Sequence, residues 1–465
     1  MGKDLHYKSL LDVAGMIKRR EVSCVEVVSE HLERIKTFEP KLNAFILVMA
    51  ETALADAKAA DADLAKGLYR GPLHGVPIGV KDLLDVKGTP TTGGTKIMKD
   101  KYPEIDATVV ARLKQAGAIV IGKVHMTEGA TLSHHPIYKR PDNPWKSGYW
   151  TGVSSSGSGV SVAAGFCYGA LGSDTGGSIR MPSYANGLSG IKPTWGRVSR
   201  HGVFPLAESF DHIGPMCRTA ADAAVMLQAM AGQDALDPTA LNAPVPDYLA
   251  ELGPGISNML IAVDWSLLED RVHPAMVAAM KAAAKTFESL GARIREVTLP
   301  PIGPSMAPIM PLLMAEVRAA HEATYPSMAA DYGPDLAGML EGGGMVSGVD
   351  VAKAVHGRCA WNGALAKVFD EADILLIPAA TAPTPTWDEV DSLKHDMGLM
   401  MDRIGRYTLP FNASGSPTLS LPCGFEGGMP LGLQLVGPHL SEHILCRAGA
   451  AFQTATDFHT VHPAL

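Results

Sequence analysis

Between residues 9 and 36 apolar positions recur every three or four residues: Leu10, Leu11, Met16 and Ile17, then Val25, Val28, Leu32 and Ile35. That spacing lines one face of a helix. Ser23 followed by Glu26 forms a capping box, so the stretch predicts two helices with a break between them. An Ala-rich, charged run predicts a third helix over 50–66. The pattern then changes. In GPLHGVPIGVKDLLDVKG (71–88) Gly and Pro alternate with β-branched residues, which predicts a short buried strand between turns. DATVVARLKQAGAIVIGK (106–123) reads as helix, glycine stop and strand, an α-to-β step.

A Pro- and aromatic-rich loop follows at 133–151, and 151–205 is saturated with Gly and Ser. The later chain predicts a helix at 219–231, a connection at 232–255, a strand at 258–264, a helix at 273–292 and a strand at 292–300. Residues 301–365, rich in Met, Gly and Ala, read as helices over the core. Met306, Met310, Met314 and Met345 are expected in that core more than in a pocket. A buried strand at 372–380, a hairpin of 417–425 with 431–438, and a helix at 441–456 close the chain. No repeat and no linker interrupts it, so the expectation is one large mixed-sheet domain.

Composition narrows the classes. Apolar residues make up 46% of the 465, enough for a large core and too many for a disordered chain. Lys plus Arg number 40 against 48 Asp plus Glu, a net charge of −8, which argues against a nucleic-acid partner. No uncharged apolar run of about 18 residues occurs, so no membrane span is expected. The start MGKDLH lacks a signal-peptide core, and His6 stands where an acylation motif wants Ser or Thr. Six scattered cysteines without a C-x-x-C pair fit a reducing cytoplasm, as small core residues. Cys423, in an apolar run with no base nearby, reads as core.

Several familiar chemistries are missing: no G-x-S-x-G elbow, no H-E-x-x-H or metal-type Cys/His spacing, and no phosphate loop. No metal or cofactor is expected. His134–His135 reads as a solvated loop pair. What remains is LGSDTGGSIRMPS (171–183), a Gly-rich turn leading into Ser178. A nucleophilic serine here needs a base other than histidine. A buried lysine is one, because burial disfavours its charged form. Lys81 sits inside the apolar strand of 71–88. It is either that base or an ion-pair partner of Asp82 or Asp85, and spacing alone leaves both open. TGVSSSGSGVSVAAG (151–165) reads as a flexible linker or as a folded serine run, one member of which could join Lys81 to Ser178. The core-like residues that follow favour the folded reading.

These segments together resemble the amidase signature family, the Ser–Ser–Lys amide hydrolases. GPLHGVPIGVKDLLDVKGTPTTGGT resembles the family's lysine segment, GVSSSGSG stands at its GGSSGG, and GSDTGGSIRMPS with GLSGIKPTWGRVS matches its nucleophile segment. NASGSPTLSLPCGF with LGLQLVGP matches the C-terminal sheet, so the likeness covers nearly the whole chain. The resemblance implies an α/β fold, one domain over 1–465 with a central mixed, twisted sheet covered by helices on both faces. The motif core is 71–215 and the variable, pocket-forming helical part about 301–365. It implies Ser178 as nucleophile, Ser154 as a bridging serine on a cis peptide bond, and Lys81 as terminal base. It implies an oxyanion hole from the N–H groups of Thr175, Gly176, Gly177 and Ser178. Ser155 would support Lys81 or Ser154, and Asp174 and Arg180 would hold the loop by ion pairing. Ala130 and Thr131 fall near the acyl pocket. Val153 and Ser156 replace family glycines, and His125 stands where many members have asparagine.

The implied function is hydrolysis of amide C–N bonds through an acyl-enzyme, extending to esters or carbamates, with a bulky apolar or aromatic substrate. The expected partners are that small molecule only, with the protein a cytoplasmic monomer or homodimer. Two alternatives stand beside it. One is the glutaminase component of a tRNA-dependent amidotransferase, which the C-terminal ending and His125 disfavour. The other is a non-catalytic binding protein on the same scaffold, which retention of Ser178, Ser154 and Lys81 disfavours.

Overall fold

A computed structural model describes residues 5–393 and 396–465. The Met1–Gly2 start lies outside the described residues. One mixed sheet of eleven strands runs through them, in the order β1-β3-β2-β4-β6-β5-β10-β11-β9-β7-β8. The strands are β1 (Phe45–Val48), β2 (Pro77–Lys81), β3 (Ile119–Val124), β4 (Gly169–Asp174), β5 (Ser189–Lys192) and β6 (His212–Cys217). They continue as β7 (Leu260–Val263), β8 (Arg293–Glu296), β9 (Ile374–Pro378), β10 (Thr418–Glu426) and β11 (Met429–Val436). β2 pairs parallel with both β3 and β4, while β4 with β6 and β10 with β11 are antiparallel. Every residue of β2, β3, β4 and β6 is buried, as expected for strands covered on both faces by helices. The edge strand β8 is largely exposed.

Where hydrophobic spacing or caps predicted an element, the element is present. Helices span Leu10–Lys18 and Cys24–Leu42. The capping box forms between them, with Ser23 Oγ accepting from Glu26 N–H at 3.0 Å and Glu26 Oε2 accepting from Ser23 N–H at 2.7 Å. The helix–strand step appears as Thr108–Gln115 followed by β3, and the C-terminal hairpin as β10 and β11.

The Gly/Ser-rich centre had no legible period, yet it holds β4, β5, the helix Ser156–Ala163 and the helix Arg180–Asn186. β1 and β6 went unread as well. Close packing explains part of this: a Cβ on Gly214 in β6 would lie 2.0 Å from the Ile191 carbonyl oxygen of β5. Such a position excludes the β-branched residues that mark a strand. The 301–365 part forms helices Ile302–Met306, Met310–Ala320, Pro334–Gly344 and Gly348–Phe369. Met345, expected in the core, is 82% exposed because it caps the third of these helices at the surface.

Candidate active site

β2 and β4 are parallel neighbours, so their C-terminal ends open at the same side of the sheet. Ligand crevices in α/β sheets form at such ends. Lys81 is the last residue of β2, and β4 ends at Asp174, where the loop carrying Ser178 begins. Ser154 and Ser155 lie just before the helix Ser156–Ala163, whose N-terminus meets the same place.

Lys81 is sealed from solvent. Its Nζ donates to Ser154 Oγ at 2.7 Å, to Ser155 Oγ at 2.8 Å and to Ser173 Oγ at 2.8 Å. Neither acidic neighbour in sequence serves it: Asp82 pairs with Lys123 at 2.8 Å, and Asp85 with Lys101 at 2.8 Å. Burial drives the Lys81 amine well below the ordinary lysine range, opposed by the more distant charges of Asp174 and Asp211. Ser155 Oγ donates onward to the Ser173 carbonyl at 3.2 Å. The Val153–Ser154 peptide bond is cis. Of the two residues that depart from the family's glycines, Val153 joins a small apolar cluster with Trp150, Met181 and Trp387. Ser156 Oγ meets His134 Nε2 at 2.9 Å.

Ser178 is 9% exposed, the one member of the serine group at the border of solvent. No hydrogen bond joins its hydroxyl to Ser154 or to any other described residue. Unliganded sites often tighten such contacts only around substrate. The loop is rigid on its inner side. Asp174 accepts from Gly177 N–H at 2.8 Å and Ile179 N–H at 3.0 Å, and Arg180 Nη2 donates to it at 2.9 Å. Burial alone would raise the Asp174 carboxyl, but the Arg180 charge and hydrogen bonds, with Lys192 and Asn412, hold it below the usual carboxylate range. Arg180 also reaches the Thr408 carbonyl, Gln434 and Asn412, so one guanidinium joins the loop to β11 and to the chain at 408–412.

Asp174 alters the expected set of four donors. The Gly177 N–H is already committed to its carboxylate. Thr175, Gly176 and Ser178 keep N–H groups that engage no described residue. Gly177 is needed for shape instead: its φ is 133°, and a Cβ there would lie 2.5 Å from Thr408 Oγ1. Thr175 Oγ1 donates to Asp211 Oδ1 at 2.5 Å, and burial pushes the Asp211 carboxyl up to about 6.

Ala130 lines a cavity of about 220 Å³ together with Ser173, Thr175 and Asp211. Thr131 closes onto its own turn, donating to the Glu128 carbonyl while its carbonyl accepts from Thr127. His125 is buried, its pKa lowered to about 4 by desolvation, and packs edge-on against Tyr138 and His134. His134–His135 is not a solvated pair. His134 packs against Trp387, and His135 is buried with Nδ1 accepting from Ile137 N–H. Cys423 is buried and its thiol is pushed up to about 12 by desolvation. Sequence reasoning missed Ser173, Asp211, Thr408 and Asn412. Ser173 was visible inside LGSDTGGS, but nothing local links it to Lys81, 92 residues away. Among the described residues no group of three His, Cys, Asp or Glu side chains could hold a metal, and no helix is long and apolar enough to cross a membrane.

The Amidase family model matches residues 26–446. The protein named "Putative amidase AmiD" of Mycobacterium tuberculosis is 46% identical over 98% of this chain and 95% of its own. A component of the glutamyl-tRNA(Gln) amidotransferase of Methylococcus capsulatus is 37% identical over 99% of each chain. Among solved structures, a chain of a vestigial protein complex bearing on the origins of an s-triazine catabolic enzyme superposes with a TM-score of 0.89. It is 32% identical over 96% of this chain and 98% of that one. A family match over most of the length, on a fold that places a buried lysine, three serine hydroxyls and a glycine-rich loop at one sheet end, shows that this chain belongs to the amidase family.

Proposed function

We propose that the protein hydrolyses amide C–N bonds through an acyl-enzyme on Ser178, with Ser154 and Lys81 as its proton path. The observation that carries this is Lys81: a sealed amine within hydrogen-bond distance of three hydroxyls and with no carboxylate in contact. A neutral Lys81 takes a proton from Ser154, which takes one from Ser178 as Ser178 Oγ attacks the carbonyl carbon. The oxyanion that forms is received by the free N–H groups of Thr175, Gly176 and Ser178. Each such donor is typically worth about 3–4 kcal/mol. The proton returns through Ser154 to the leaving nitrogen, the C–N bond breaks, and water releases the acyl group by the same path. Asp174 and Arg180 hold the loop and exchange no proton. Esters and carbamates pass through the same tetrahedral oxyanion and are included in the reading.

A fluorophosphonate probe tests it. Labelling of the pure protein at Ser178, and loss of both label and turnover in Ser178→Ala across anilides, primary amides, esters and carbamates, are expected. Absence of label on the wild-type chain would return it to the binding-protein reading. The likeness to the Methylococcus amidotransferase component supports a second reading, glutamine hydrolysis with a partner protein. Glutaminase activity that appears only on adding such a partner would select it.

A further inference from the structure

Two cavities lie near the loop that carries Ser178, and they differ in kind. The one bordered by Ser173, Thr175 and Asp211 is small and is lined by Arg200 and Glu208 as well. The other measures about 780 Å³ and is walled by Leu299, Ile302, Met306, Met310, Met401 and Leu409. Small-molecule sites commonly fall between about 300 and 1,000 Å³.

The larger cavity lies one residue layer from the loop. A Cβ on Gly176 would stand 3.8 Å from Leu409 Cδ1. Thr408 Oγ1 bridges the Gly176 carbonyl at 2.6 Å and the Gly405 carbonyl at 3.2 Å, and both Gly405 and Leu409 line the cavity. Its wall at Met401–Gly405 is π-helical, a form that is rare and frequent at functional sites. Methionine side chains adapt to irregular apolar shapes. At the mouth the charges serve one another: Asp402 pairs with Arg271 at 3.0 Å and with Arg406 at 2.5 Å. That leaves an apolar chamber with a self-neutralised rim.

We infer that this cavity holds an elongated, uncharged apolar substituent of the substrate. The inference rests on the reading of Ser178 as the nucleophile. Such a substituent could be the acyl chain or the chain on the amide nitrogen, so two substrate series are needed. One runs from acetyl to decanoyl p-nitroanilide, the other from N-ethyl to N-decyl acetamide. In one series kcat/KM should rise about threefold per added methylene over the first several. Ala307 lines the cavity and is exposed, so Ala307→Trp narrows it at little cost to the core. The long-to-short ratio should then fall about tenfold or more. Met310→Trp, checked for folding by circular dichroism, repeats the test from a second wall.

Binding of decanamide to Ser178→Ala by calorimetry reads the cavity without turnover. Binding that Ala307→Trp abolishes, together with a wild-type protein that hydrolyses neither series, would keep the cavity and remove the hydrolase reading. A flat chain-length response in both series, or a ratio untouched by both tryptophans, overturns the inference.

Discussion

Two buried lysines stand on neighbouring parallel strands. Lys123 on β3 lies level with Val80, and Lys81 on β2 lies level with Val124. That one-residue offset sends their side chains to opposite faces of the sheet. Asp82 follows Lys81 and therefore leaves on the Lys123 side. Lys123 meets its carboxylate at 2.8 Å and the Thr91 hydroxyl at 2.8 Å. Lys81 is left with hydroxyls alone. Burial lowers both amines, but at Lys123 the Asp82 charge is the main opposing effect, in direct contact. A carboxylate keeps an ammonium charged, whereas a hydroxyl accepts a hydrogen bond without cancelling the charge. The pleat of a strand thus decides which lysine meets a carboxylate and which meets hydroxyls alone.

The sharpest way to break this comparison is to remove each amine in turn. Lys81→Met should lower kcat by about 10³-fold or more, the scale of a positioned general base. Its stability should hold or rise, since a buried amine pays desolvation in the folded state only. The sign follows from linkage. A folded pKa below the unfolded one makes wild-type stability increase with pH between the two values, and Lys81→Met should lose that slope. Denaturant titrations at several pH values with parallel kinetics check both halves. An unchanged kcat sinks the proposed proton path.

Lys123→Met should do the opposite. It strands the Asp82 carboxylate, which is sealed from solvent, and should cost about 3–5 kcal/mol of stability. Adding Asp82→Asn should recover much of that loss. Urea midpoints of the two variants measure it, and recovery absent from the double variant would deny the pair its structural role.

The same contrast shows what could be read without coordinates. Helices with capped ends and apolar stripes, such as Leu10–Lys18 and Cys24–Leu42, were legible because their information is local. Lys81 was legible as an oddity, a cation in an apolar strand, but its partner was not. Asp82 and Asp85 looked available because adjacency in sequence hides the alternation of a strand. The central strands β4, β5 and β6 were illegible because their glycines and serines are chosen for closeness to neighbours far along the chain. The commitment of the Gly177 N–H to Asp174 has no trace in spacing at all. The Arg180 network is equally silent, since Asn412 lies 232 residues on.

Ser173 gives the smallest expected effect and the finest test. It is one of three hydroxyls around Lys81, and it sits on β4. As an acceptor it favours the ammonium form of Lys81. Ser173→Ala therefore should lower the Lys81 pKa further, and the acid limb of the rate profile should move to lower pH. A hydrogen bond to a charged group corresponds to a shift of about one pH unit. The plateau rate should fall only a few-fold, because Ser154 and Ser155 still hold the amine. Rate still rises as pH climbs through the Lys81 pKa, since the neutral form is the active one. A limb that moves upward would mean that Ser173 donates to a neutral amine, reversing the direction of hydrogen bonding drawn for this site. A limb that stays fixed would mean that the profile reports a group other than Lys81, and the contrast between the two lysines would then lose its kinetic half.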